Sequence, residues 1–352
     1  MKKKVLLMGA SGSGKTSMRS LIFSNNPASL TARLGATIDV EQNHVRFLGD
    51  LILNLWDCGG QDAFMDSYLS TQRATIFSHV GVLIYVFDAE SRERAKDLEY
   101  YRDCLDALRR YSSEARVFLL VHKMDLVREG ERKGELERKR RELVKESSGM
   151  GVTVFGTSIY DESLYKAWSR IVHTLIPNAA VLSRHLTTLA EACSATEVIL
   201  FERTTFLVIA TSASPPSASA SSPPTVSLPP LPSPPRSLKS PTSPSFSLPQ
   251  TDPEPEPEEP EDDPHQMSPT RYERTSELIK AFKYSCSRFL RQDFHALEME
   301  LAEFTAVLDE LTKNTYVMIV AHDPTIETAA LRLNIRLARR KFEELQGDSL
   351  VS

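Results

Sequence analysis

The 352-residue chain has no apolar stretch long enough to cross a bilayer, so a membrane-spanning channel or transporter is excluded as a reading. Its four cysteines (Cys58, Cys104, Cys193 and Cys286) lie far apart and form no CxxC pair, which argues against a zinc ribbon or a disulfide scaffold and for small reduced side chains. No general positive charge is present: the net charge is −5 and the pI about 6.0, so nucleic acid is not an expected partner. The opening Met1-Lys2-Lys3-Lys4 runs straight into an apolar strand, which fits neither a signal peptide nor a myristoylation site, and the final residues 348–352 hold no prenylation cysteine. Direct membrane insertion is therefore not expected.

What is present is unevenly distributed. Apolar residues make up 41% of the chain, enough for real cores, and the length suits about two domains. Yet 18 of the 21 prolines fall between Ser212 and Thr270, together with many serines and the acidic run 252–263, which carries eight carboxylates and no base. Such a segment cannot bury enough surface to repay its ordering entropy, and disorder is expected over 212–270. A connection this long inside a compact domain is either regulatory or an insertion tolerated at a surface turn.

Before that segment, apolar runs alternate with helical patterns. Strands are expected at 5–8, 40–48, 51–56, 81–88, 117–122 and 152–155, and helices from Lys15 to about Phe23, over 92–111 and over 162–175. This is a doubly wound α/β domain with a mostly parallel six-stranded sheet, residues 1–178. Residues 179–211 read as a helix to Ala195 and a hairpin (197–202 and 204–210, Arg203 near the turn). Residues 271–347 continue with a helix whose Leu278, Phe282, Ser285 and Phe289 recur at helical spacing. They end with three strands (297–301, 304–311, 315–321) and a helix over 325–345. Helix, two strands, helix, three strands, helix is an α+β layer.

The chemistry is carried by short motifs in a fixed order. Gly9-Ala10-Ser11-Gly12-Ser13-Gly14-Lys15-Thr16, between a strand and a helix, satisfies G-x-x-x-x-G-K-[ST] at every fixed position. Backbone N–H groups of such a loop, here Ser11 to Ser17, curl around phosphate oxygens, Lys15 reaches the β/γ-phosphates, and the Thr16 hydroxyl ligates Mg²⁺. Thr37, in the polar stretch before the second strand, is the natural second hydroxyl for the metal and makes that stretch a switch. Asp57, at a strand end, suits Mg²⁺ ligation through water, Gly60 a γ-phosphate contact, and Gln61 the orientation of an attacking water as the catalytic residue. In His122-Lys123-Met124-Asp125 the Asp125 carboxylate can accept both donors on one edge of guanine, a pairing adenine lacks. The stem of Lys123 can cover the base plane, and Ser158 and Ile159 would add backbone contacts. Thr31 is a further candidate for nucleotide contact.

Together these residues resemble the Ras-like small GTPases over roughly residues 3–176. GASGSGKTSMRS (9–20), LGATIDVE (34–41), LNLWDCGGQD (53–62) and LVHKMDLV (120–127) tighten the resemblance to the Rag/Gtr family. LFERTTFLVI (200–209), NTYVMIV (314–320) and NIRLARRKFE (334–343) carry it beyond the first domain. Gly-Ser-Gly in the phosphate loop and Cys-Gly-Gly-Gln after the third strand are similar to the A/B-type subunits. His122, where most GTPases have asparagine, can still donate a hydrogen bond, and the family shares it. The resemblance implies a Ras-like P-loop G domain followed by a roadblock (longin-like) domain, with GTP/GDP and Mg²⁺ as ligands. It implies slow GTP hydrolysis that depends on an activating protein, and an exchange factor. It also implies a heterodimer with a C/D-type subunit through the second domain, recruitment to the lysosomal or vacuolar surface by a Ragulator/EGO-type scaffold, and amino-acid signalling to the TOR complex. Two alternatives share parts of the pattern: a hydrolytically inert GTP-binding structural subunit, and an Arf/Sar-like trafficking GTPase.

Overall fold

The computed structural model describes residues 2–31, 33–37, 39–48, 51–176, 179–212, 271–290 and 294–348, which belong to one compact unit. Apart from Ser212, the expected 212–270 insertion lies outside the described residues, as do Gly49 and Asp50.

Along the first part run β1 (Lys2–Met8), α1 (Lys15–Phe23), α2 (Ala28–Thr31), β2 (Val40–Leu48), β3 (Leu51–Cys58), α3 (Asp62–Leu69) and α4 (Arg73–Phe77). They are followed by β4 (Val80–Asp88), α5 (Arg94–Tyr111), β5 (Arg116–His122), α6 (Arg132–Glu146), β6 (Val152–Thr157) and α7 (Ser163–His173). The strands form one sheet in the order β2-β3-β1-β4-β5-β6. β1 is parallel to both β3 and β4, β4 to β5 and β5 to β6, while β2 alone joins antiparallel as a hairpin with β3. This is the expected Ras-like sheet. Parallel strands covered on both faces read as unbroken apolar runs, and β4 and β5 bury nearly every side chain. β1 starts earlier than its apolar run suggests. Lys4 fits there because its ammonium lies over the Trp56 ring and donates to the carbonyls of Thr75 and Ser78.

The second part comprises α8 (Ala179–Ala192), β7 (Glu197–Glu202), β8 (Val208–Thr211), α9 (Arg271–Leu290), β9 (Leu297–Glu300), β10 (Thr305–Thr312), β11 (Thr315–Ala321) and α10 (Thr328–Asp348). Its antiparallel sheet has the order β8-β7-β11-β10-β9. One face packs into a core shared with the first sheet through α1 and α7, where Trp168 is buried edge-on against Phe23. On the opposite face Phe201, Phe206, Leu308 and Tyr316 gather around Ile279 of α9.

Two local expectations are overturned. Residues 204–207 do not extend the hairpin strand, because the buried Glu202 carboxylate gathers them into a turn. It accepts from the N–H and hydroxyl of Thr204 (3.0 and 2.5 Å) and from those of Thr205 (2.6 Å each), and Phe206 takes φ 53. A side-chain acceptor here outcompetes the ladder. The amphipathic stripe assigned to α9 is also rotated. Leu278, Phe282 and Ser285 are exposed, the Phe289 side chain lies outside the described ones, and among those described the buried residues are Ser276, Ile279 and Lys280. The Lys280 ammonium sets that rotation by donating to the carbonyls of Leu21 (3.2 Å) and Ile22 (2.9 Å) at the end of α1. Ordered pairing also continues one residue past β8, since Ser212 N–H donates to Val198 O and its hydroxyl accepts from Val198 N–H.

Two outcomes follow from these buried groups. Glu202→Ala strands four donors and should cost about 3 kcal/mol in urea unfolding, since orphaned buried donors each carry a desolvation penalty. Burial lowers the Lys280 pKa from 10.5 to about 7. Between those values the unfolded chain binds more protons than the folded one, so this group's contribution to stability rises as pH increases from 7. The stability of the native chain relative to Lys280→Met should therefore be greater at pH 9.5 than at pH 7 in paired urea melts.

Candidate functional site

Local sequence builds the phosphate loop between the buried end of β1 and the first turn of α1. Gly14 caps α1 at φ 95, a left-handed conformation that glycine adopts without strain. A side chain there would also collide with a neighbour, because a Cβ would fall 2.5 Å from the His122 ring. His122 is buried, accepts or donates through Nδ1 at 2.9 Å from the Thr157 hydroxyl, and is held neutral at pH 7 by burial, which lowers its pKa to about 4. The two ends of the expected site therefore touch through Gly14 and His122.

A cavity of about 230 Å³ opens over the loop, lined by Ser11, Gly12, Gly14, Lys15, Thr16 and Ser17, by residues 34–37, and by Gly60. Ser13 is buried in the loop beneath. The Lys15 ammonium donates to the carbonyls of Gly9 and Ala10, both at 2.8 Å, and burial lowers its pKa to about 8. Its hydrogen-bond acceptors among the described residues are neutral oxygens, which an incoming anion can displace. The hydroxyls of Thr16 and Thr37 lie 2.5 Å apart. Beside them Asp57 is fully buried. Burial raises its pKa, opposed chiefly by Arg19 and then by Lys15 and the Thr16 hydroxyl. Asp57 Oδ1 has no hydrogen-bond partner among the described residues. Two converging hydroxyls and an unpaired buried carboxylate oxygen make a hard-oxygen donor set that fits Mg²⁺.

The segments after β3 and before β2 are joined to the loop. Gly60 O accepts from Ser11 N–H at 2.8 Å, and Gly59 N–H donates to Asp39 O at 2.7 Å. A Cβ on Gly60 would meet the backbone of Gly9 to Ser11 at 2.4–2.5 Å, so only glycine allows the contact. Gln61 is exposed and caps α3. It lines a neighbouring cavity of about 290 Å³ with Asp62, Lys96 and Tyr100, and does not line the phosphate cavity.

At the other end, Lys123 adopts φ 62 and pairs its ammonium with Asp88 at 2.6 Å. Ser158 Oγ donates to Asp125 Oδ1 at 2.6 Å, so this serine orients the carboxylate through its side chain in addition to any backbone contact. Ile159 packs partly buried on the core. Thr31 is not brought in: it sits in α2, and its hydroxyl donates to Ala28 O at 2.7 Å, a local helical partner that turns it away. Asp88 and Arg19 are additions. Arg19 had a signal, since it is the one charged residue on α1 after Lys15 and stands four positions on, one turn along the same face.

Gly14→Ala should cost about 1–3 kcal/mol from the left-handed backbone alone. The clash adds to that figure, so the loss on urea unfolding should be smaller when the same change is made in a His122→Ala background.

A family model described as the Gtr1/RagA G protein conserved region matches residues 4–279. The chain is 48% identical to GTP-binding protein gtr1 of Schizosaccharomyces pombe, covering 99% of this chain and 98% of that protein. It is 46% identical to Ras-related GTP-binding protein A of Dictyostelium discoideum, covering 98% of each. GTP-binding protein gtr2 of S. pombe is more distant, at 28% identity over 60% of this chain and 68% of that protein. Among solved structures, the Arl6 BBS3 small GTPase from Trypanosoma brucei with bound nucleotide analogue GppNp covers 49% of this chain and 97% of its own at 16% identity and TM-score 0.37. By the extent of the family match and these near full-length identities, the chain belongs to the Gtr1/RagA G protein family.

Proposed function

We propose that this chain is a Rag-type GTPase, a switch that binds GTP or GDP with Mg²⁺ and hydrolyses GTP to GDP and phosphate. The observation that carries the reading is the meeting of the Thr16 and Thr37 hydroxyls beside the buried Oδ1 of Asp57, which has no hydrogen-bond partner among the described residues, over a loop whose lysine donates to the carbonyls of Gly9 and Ala10. In this reading the amides of Ser11 to Ser17 and the Lys15 ammonium hold the phosphates, displacing the Gly9 and Ala10 carbonyls. Thr16 and Thr37 ligate Mg²⁺ directly and Asp57 through water. The cation would neutralise phosphate charge as it develops. Asp125, aimed by Ser158, reads guanine, Lys123 covers the base plane, and His122 supports the loop from beneath.

Gln61 is the residue assigned to the attacking water. Since it lines the neighbouring cavity, its side chain has to turn to reach the γ-phosphate in this reading. That requirement, with no arginine assigned to the transferring phosphate, supports slow intrinsic hydrolysis accelerated by an activating protein. Thr37 engages only while a γ-phosphate is present, so the nucleotide state is written into residues 34–37 and 59–61.

We further propose that the second sheet pairs with a C/D-type subunit, to which the more distant gtr2-type relatives correspond, and that the pair is held at the lysosomal or vacuolar surface by a scaffold and signals amino-acid availability to the TOR complex. No helix among the described residues is long and apolar enough to cross a membrane.

The test is nucleotide selection and single-turnover hydrolysis by the purified chain. GTP and GDP should be retained and ATP not. Asp125→Asn should lose guanine retention at least about 100-fold, as expected where the group that hydrogen-bonds the substrate is replaced. Gln61→Leu should bind GTP yet hydrolyse it more slowly. ATP retention equal to GTP, or unassisted turnover near 1 s⁻¹, would refute the reading.

A further inference from the structure

Arg19 lies one helical turn beyond Lys15 and bridges two carboxylates. Its Nε donates to Asp57 Oδ2 at 2.9 Å, and a terminal guanidinium nitrogen donates to Glu41 Oε2 at 2.7 Å. The two acids are directly opposed across the β2–β3 hairpin, Glu41 registering with Asp57. Like charges facing each other across strands destabilise the pairing, so something must neutralise them, and the planar guanidinium spans both in a way an ammonium cannot. Glu41 stands four residues beyond Thr37, so the same clamp that quiets Asp57 also holds the strand into which the Thr37 segment leads.

The arrangement gives the two oxygens of Asp57 separate tasks. Oδ2 is committed to Arg19, while Oδ1 is buried without a hydrogen-bond partner among the described residues. An unanchored carboxylate could rotate and present either oxygen. Anchored at Oδ2, it keeps Oδ1 for the cation.

We propose that Arg19 is a positioning residue for Mg²⁺, fixing Asp57 through Oδ2 and, by clamping Glu41, keeping the Thr37 hydroxyl at that of Thr16. This rests on the reading of the site as a Mg²⁺–nucleotide site. Arg19 touches neither metal nor nucleotide in this scheme. Its effect is on how much Mg²⁺ is needed to hold a nucleotide, and it leaves metal-free binding alone.

The experiment follows release of fluorescent GDP and of a fluorescent, non-hydrolysable GTP analogue from the full chain across a free-Mg²⁺ titration, with EDTA as the metal-free point. In the native chain Mg²⁺ slows release. In Arg19→Gln the Mg²⁺ midpoint should rise about tenfold or more, the scale typical for losing a group that orients a metal ligand, while the EDTA rate stays within about twofold. Adding Glu41→Gln to Arg19→Gln removes the opposed charge and should bring the midpoint for the GTP analogue part of the way back. A structural contact alone would not give that recovery. Arg19→Lys, which can keep one of the two ion pairs, should give an intermediate midpoint and serves as the test if Arg19→Gln does not fold.

An unmoved midpoint in Arg19→Gln, or in Arg19→Lys where it stands in, would overturn the proposal. So would an EDTA rate raised by the same factor as the rate in Mg²⁺. A native chain whose nucleotide release ignores Mg²⁺ would instead overturn the reading of the site, and this inference with it.

Discussion

The fully buried carboxylate of Asp57 imposes the conditions that the nucleotide end of the structure satisfies. A charge withdrawn from water is costly unless compensated by opposite charge and hydrogen bonds. Parallel pairing sets Asp57 beside Leu7 at the end of β1, where the phosphate loop begins. Both compensating cations, Lys15 and Arg19, come from α1, the helix that this loop starts. The β2 hairpin, the phosphate loop and the turn after β3 are thereby drawn to one place. The contacts of Gly60 with Ser11 and of Gly59 with Asp39 close the arrangement.

The same helix is held at its other end. Its last carbonyls would lack partners within the helix, and Lys280 of α9, some 260 residues along the chain, supplies the donor for two of them. A cation at a helix C-terminus also favours the helix dipole. α1 thus has the phosphate loop at its start and the second sheet's helix at its finish. A shared apolar core around Trp168 supports it from the side. The phosphate loop and the helix of the second sheet thus meet opposite ends of one helix.

Local pattern carried much of this into view beforehand. Near-continuous apolar runs marked β4 and β5 because a parallel strand covered on both faces has no polar side to show. Glycine, lysine and threonine at fixed spacing marked the phosphate loop because phosphate recognition uses backbone amides, which only a particular local turn exposes. The turn at 204–207 was hidden: threonine and phenylalanine favour strands, and the buried Glu202 acceptor that overrules them announces itself only once it is inside. The face of α9 was hidden for a similar reason. Leu278 and Phe282 look like the core stripe by hydrophobicity, whereas the helix is turned by a lysine reaching carbonyls of a helix far away in sequence. Thr31 looked available, but its hydroxyl had a nearer acceptor.

The sequence by itself determined the strands of the first sheet, the helices α1, α5 and α7, the phosphate loop and the placing of Asp125 just after β5, since each depends on residues within a few positions of one another, whereas α3, α4 and α6 left no comparable pattern. Tertiary structure decided which oxygen of Asp57 is committed and which is free, that Arg19 stands between Asp57 and Glu41, that Ser158 aims Asp125 through its hydroxyl, and that Gln61 faces a cavity beside the phosphates. Those are facts about side chains from different strands and helices competing for a few buried donors and acceptors. Their outcome exists only when the sheet has brought them within reach.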